Sequence, residues 1–155
     1  MPDLPDADAA THGQILLWLE IFQGHVRAVD YAAARPMWHP DLLAFGTHRD
    51  IIEGRESAIG TQWNNVWPRT AHFAFDLPAT RVLGGSALAV AVIPWTSTGF
   101  HPDASRFDRP GRATMVFDRS GEPTLAWGWR CVHSHMSLHR GVPQDSHAAR
   151  PVRGR

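Results

Sequence analysis

The sequence predicts a single α+β domain, a curved antiparallel sheet with three N-terminal helices around a pocket. Three observations carry this. Apolar residues recur at helical spacing through the first half of the 155 residues. Short alternating or continuous apolar runs, separated by glycine turns, fill the second half. Helices first and antiparallel strands afterwards is an α+β order.

The elements follow in turn. Thr11 and Gln14 read as a capping box, and Ile15, Trp18, Leu19, Phe22 and Val26 form one apolar stripe behind it. Asp30 caps a second helix over 31–38, kinked by Pro36. A short strand is expected at 42–45 and a polar loop at 46–53. A third helix then places Ile59, Trp63, Val66 and Trp67 on one face before Pro68 stops it. Strands are expected at 72–83, 87–95, 112–118 and 125–138. A polar rim loop spans 98–111, and Gly84-Gly85 and Ser120-Gly121 supply turns. The organisation expected is a flexible 1–10, a domain over 11–140 and a loose tail over 141–155, where Pro, Ser, His and Arg occur without periodicity.

Composition narrows the partners. Hydrophobic residues are 43% and charged residues 19%, as in a folded domain. Lys+Arg and Asp+Glu are 15 each, which removes the simplest electrostatic case for nucleic acid or an anionic membrane. No apolar run has the roughly 18 residues of a membrane span. With Cys131 as the one cysteine there is no intrachain disulfide. The acidic, proline-bearing first ten residues do not read as a secretory signal, so a cytoplasmic location is expected.

Seven Trp and ten His are unusual for this length. Trp supplies flat apolar area for a core or a pocket, and His serves as acid, base or ligand near neutral pH. His133 and His135 have metal-like spacing on one strand face; a third ligand would have to come from elsewhere, such as His72 or His101, and no metal or other cofactor is expected.

Several motifs sharpen the fold. Trp38-His39-Pro40-Asp41, Phe45-Gly46-Thr47, Glu53-Gly54 with Trp63, and the closing Trp129, Val132, His133, His135 and Ser137 together resemble the SnoaL-like branch of the nuclear-transport-factor-two-like superfamily. The closing pattern is also similar to the association domain of calcium/calmodulin-dependent protein kinase. The resemblance implies a cone-shaped sheet, and a superfamily of isomerases, cyclases, hydrolases, dehydratases and members without chemistry, so function must come from the site. It also implies that the parity of Arg130, Val132, Ser134 and Met136 faces the cavity. The ketosteroid isomerase groups would fall near Gly46 or Thr47 for the base, on Leu19 or Phe22 for the tyrosine, and near Thr114 for the second aspartate. None is reproduced.

The candidate site follows. His48 or Asp50 is the candidate general base, a histidine oriented by a carboxylate. Arg112 and Thr114, on one strand parity, are candidate partners for an oxyanion or carboxylate. Trp18, Trp38, Trp63, Trp67 and Trp95, with Ser134, are candidate ligand contacts for an apolar or aromatic molecule. The expected function is a cofactor-independent isomerase, cyclase or lyase. The alternative is a non-catalytic ligand-binding or dimeric assembly domain. A homodimer is expected through an outer sheet face carrying Trp127, Trp129, Cys131, His133 and His135.

Overall fold

The computed structural model describes residues 3–47 and 50–147. The first helix, α1, spans Ala9–Ala28 and buries Ile15, Trp18, Leu19, Phe22 and Val26 along its inner stripe. It starts earlier than the capping box suggests. Asp8 is the N-cap, and its carboxylate accepts from the Thr11 backbone N–H at 2.7 Å. Gln14 instead accepts from Trp129 Nε1 at 2.8 Å and Arg119 at 2.7 Å, which ties the helix to the far end of the chain.

Helix α2, Tyr31–Ala34, is capped by Asp30 and gives way at Pro36 to a 3₁₀ turn, Arg35–Met37. Trp38 therefore opens a strand, β1, Trp38–Phe45, rather than ending a helix. A two-residue strand, β2, Ile52–Glu53, lies within the expected polar loop. The third helix is composite. Residues 55–69 pass through α3 (Arg55–Ser57), a π turn (Ala58–Trp63), α4 (Asn64–Val66) and a 3₁₀ turn (Trp67–Arg69).

The expected strand 72–83 divides into β3, Ala71–Phe75, and β4, Arg81–Gly84, because the chain turns at 76–80. The two long strands are β5, Leu88–Phe100, and β6, Arg106–Asp118. They pair residue for residue from Leu88↔Asp118 to Phe100↔Arg106, so the loop expected over 98–111 shrinks to a tight turn at 101–105. Ladder hydrogen bonds satisfy this polar stretch, and only the turn remains irregular. The last strand, β7, Arg130–Leu138, follows a 3₁₀ turn, Ala126–Gly128.

The seven strands form one open, curved sheet in the order β2-β1-β7-β6-β5-β3, with β4 also on β5. All pairings are antiparallel except β1 with β7. The helices cover the concave face, where Trp18, Trp95, Trp129 and Phe117 are fully enclosed. Before helix α1, Asp6 bridges Leu83 and its carboxylate pairs with Arg81 at 2.8 Å. After β7, residues 141–147 lie against the turn end of β5: His147 N–H donates to Phe100 O, and Ser146 Oγ accepts from Phe100 N. Residues 148–155 lie outside the described residues.

Strand parity decides which side chains reach the interior. On β6 the inward set is Arg109, Gly111, Ala113, Met115 and Phe117, all buried. Arg112 and Thr114 point to the outer face and are exposed, contrary to the sequence expectation. Alternation allows one set inside, and enclosing Ala113, Met115 and Phe117 releases more apolar surface from water than enclosing Arg112 and Thr114.

The outer set expected on β7 is also corrected. Val116 pairs with His133 but Phe117 pairs with Cys131, so Val132 is an inserted residue at a bulge. The bulge switches parity. Trp129 and Cys131 are enclosed, Trp127 stands exposed in the preceding turn, and His133 and His135 stay on the outer side.

Candidate functional site: a cavity of indoles around one buried arginine

Between the helices and the concave face lies a cavity of about 70 Å³. Its walls are mainly aromatic. Trp63 and Trp67 stack at 4.5 Å between centroids, Tyr31 backs Trp67 at 5.3 Å, and Trp38 meets Trp63 edge-on at 5.4 Å. Phe22 from α1 touches Trp38, Trp63 and Trp67. Opposite, Trp95 from β5 packs on Phe73 at 5.6 Å.

The π turn contributes to this wall. One extra residue per turn widens the helix locally, a feature common at functional sites. Here it brings Gln62, Trp63, Val66 and Trp67 to the cavity. Thr61 Oγ1 donates to Ser57 O at 2.6 Å and Asn65 Nδ2 donates to Thr61 O at 2.7 Å, offsetting part of the disturbed helical ladder.

Polar groups at the cavity are few: Thr47, Gln62, Thr70, Arg109 and Ser134 among the described residues. Arg109 is the one charged residue in that lining, at 3% exposure. Its Nη2 donates to Thr47 Oγ1 at 3.2 Å, and Nη1 makes a long 3.4 Å contact with Ser97 Oγ. Gln62 Nε2 donates to the same Thr47 oxygen at 3.2 Å. Arg109 Nε is buried without a hydrogen-bond partner. The guanidinium lies 5.7 Å from the Trp95 ring, a cation–π contact.

Burial pushes the Arg109 pKa down to about 10, while the charge of Asp145 raises it. The group stays protonated at neutral pH. A cation held mostly by hydroxyls in an apolar box is costly, and an anion brought beside it lowers that cost.

The expected site residues divide. Trp38, Trp63, Trp67, Trp95 and Ser134 line the cavity together. Met136 joins them, whereas Arg130 donates to Ser120 Oγ at 2.8 Å, away from the lining. Trp18 packs between Phe22 and Phe117 in the core and does not line the cavity. Arg112 donates to Ser137 Oγ at 3.2 Å and, with Thr114, borders a groove on the opposite face of the sheet. Asp50 is exposed and is not among the lining residues. His48 lies outside the described residues. No cluster of three or more His, Cys, Asp or Glu positioned for a metal occurs among the described residues. Nor is any described helix long and apolar enough to cross a membrane.

Sequence reading misses Arg109 because Pro110-Gly111 imitates a loop. The signal is the alternation itself. Counting back by twos from Phe117 through Met115, Ala113 and Gly111 reaches Arg109.

The sequence profile of the SnoaL-like domain matches residues 18–140. The chain belongs to the SnoaL-like family. No curated protein matches it at the level of sequence. Among solved structures, the SnoaL-like chain is similar to a nuclear transport factor 2 (NTF2-like) superfamily protein from Salmonella enterica serovar Typhimurium. That likeness has TM-score 0.69 at 18% identity, over 84% of this chain and 92% of the other. A ketosteroid isomerase-like protein from Erwinia carotovora atroseptica gives TM-score 0.68 at 12% identity, over 85% and 98%. The CaMKII hub of S. rosetta gives TM-score 0.67 at 15% identity, over 89% and 99%. At these identities the likeness establishes the fold.

Proposed function

We propose that this SnoaL-like domain binds a small, flat, apolar molecule carrying a carboxylate or a comparable oxyanion, with Arg109 as the anchor. One observation carries the reading. A guanidinium 3% exposed faces an aromatic cavity with hydroxyls as its hydrogen-bond partners. Indole faces suit a planar ring, and the arginine fork suits a carboxylate. The volume of about 70 Å³ is far below the roughly 300–1,000 Å³ of pockets for drug-sized ligands, which favours one small ring.

The test is calorimetric titration with benzoate and with its neutral ester, methyl benzoate. Arg109→Ala should weaken acid binding by about 1.5–3 kcal/mol, roughly 10- to 150-fold, and spare ester binding. Equal acid affinity in the variant, or no acid binding by the native protein, would reject the reading.

A catalytic version adds proton abstraction beside a carbonyl, with Arg109 holding the enolate oxygen that develops. Its candidate base is His48, next in sequence to Thr47, whose hydroxyl meets the guanidinium; Asp50 is the other candidate. Its reaction class is that of an isomerase, cyclase or lyase working without a cofactor. Under this version His48→Ala abolishes turnover and keeps acid binding; full turnover in His48→Ala and in Asp50→Ala removes it.

A homodimer through the outer sheet face is a further part of the proposal. It is supported by apolar side chains left exposed there, Leu43, Phe45 and Val92. The CaMKII hub shares the fold.

A further inference from the structure

The C-terminal segment passes behind the cavity, on the far side of Arg109. A second, smaller space of about 10 Å³ lies there, bordered by Val66, Arg69, Arg109, Gln144, Asp145 and Ser146. Val66 and Arg109 border both spaces. The segment is fastened rather than merely adjacent. Ser146 is buried, accepts from the Phe100 N–H at 2.9 Å and donates to Arg69 O. His147 N–H donates to Phe100 O at 2.9 Å, and Val142 N–H to His139 O at 3.2 Å. These bonds fix the segment beside the small space that Asp145 and Arg109 both border.

We infer that residues 141–147 back the buried arginine on the side away from the aromatic cavity and that Asp145 is the resident counter-ion of Arg109, setting how tightly the cavity holds an anion. The inference rests on the reading of Arg109 as an anion anchor. Two negative groups then share one cation from opposite sides. The inner one is the ligand, and the outer one belongs to the chain. Asp145 is exposed, so water screens it in part; it tempers the field of Arg109 without neutralising it. Burial and Asp145 act in opposite directions on the guanidinium pKa, which agrees with this arrangement. Removing the outer charge leaves the arginine freer for the inner one.

Two measurements decide the inference. The first titrates the native protein and Asp145→Asn with benzoate and with methyl benzoate, followed by tryptophan fluorescence. The variant should bind the acid about three- to fivefold more tightly, the upper range for a partly screened pair, and the ester equally. An unchanged or weaker acid affinity, or an equal shift for the ester, would overturn it. The second needs no ligand. Thermal unfolding is compared for the native protein, Asp145→Asn, Arg109→Met and the double variant. Asp145→Asn should lower the midpoint by about 2–4 °C when Arg109 is present and leave it unchanged in the Arg109→Met background. Arg109→Lys, which keeps the charge, should keep the coupling. Additive shifts would overturn the inference. If the native protein binds no acid, the functional proposal falls and the unfolding cycle alone decides this one.

Discussion

Three positions on one strand separate an arginine that faces the aromatic cavity from one that faces water. Arg109 and Arg112 differ in parity, and parity on β6 is fixed by Phe117, Met115 and Ala113, which the core encloses. Gly111 belongs to that inward set for a further reason. A Cβ there would lie 2.2 Å from the Trp95 ring and 2.5 Å from the Ser137 carbonyl. Neither neighbour can withdraw, since the ring is enclosed and the carbonyl is backbone. Gly111→Ala should therefore cost about 1–3 kcal/mol of stability, read from urea unfolding. Gly99→Ala should cost less, because its Cβ meets the end of the half-buried Phe107 ring, which can swing away. Of the indoles of the site, Trp63 and Trp67 are legible from their helical spacing, whereas Trp38 and Trp95 stand on strands. Arg109 is not legible, because a Pro-Gly pair imitates a loop unless the pairing of β6 with β5 is known.

Among the elements, α1 shows where local sequence reading stops. Its apolar stripe is legible at a spacing of three and four, and the buried residues include the whole stripe. Its start is misplaced because the partners of Gln14 are Arg119 and Trp129, 105 and 115 positions away. The cap is Asp8, whose carboxylate is held below its ordinary value of 3.8 by the Thr11 backbone N–H and then by the Thr11 hydroxyl. A carboxylate with a lowered folded pKa stabilises above the ordinary value, and that contribution disappears as pH falls through the folded value. Asp8→Ala should thus lower the urea midpoint at neutral pH, and its difference from the native protein should shrink as pH falls below 3.8. A difference that persists undiminished in acid would assign the cap's effect to something other than charge. The π turn and the Val132 bulge are equally illegible. Each adds one residue to a regular pattern, and what fixes it is the neighbouring element rather than the local composition.

At the scale of the whole molecule, the outer face is organised in rows across the strands. Phe45, His135, Thr114 and Val92 stand in one register, and Leu43, His133, Val116 and Val90 in the next. Leu43 is 50% and Val92 47% exposed, so apolar surface lies open at both edges of the histidine rows. An antiparallel sheet keeps a wet face when that face is polar, and this one is mixed. Light scattering should accordingly find a homodimer burying at least about 1,000 Å² in total, and a charge at Leu43 or Val92 should split it. A monomer at micromolar concentration would contradict this. The fold class is legible in the sequence because helices and strands segregate along it; the membership of the outer sheet face is not, since the bulge exchanges it. The parallel contact between β1 and β7 bears on a different matter, the order of events during synthesis. His133 donates to the Leu43 carbonyl across 90 positions of chain. The first strand thus has no long partner until the last has left the ribosome. Until then the edge of β1 that will pair with β7 is open, since the two residues of β2 cover the opposite edge.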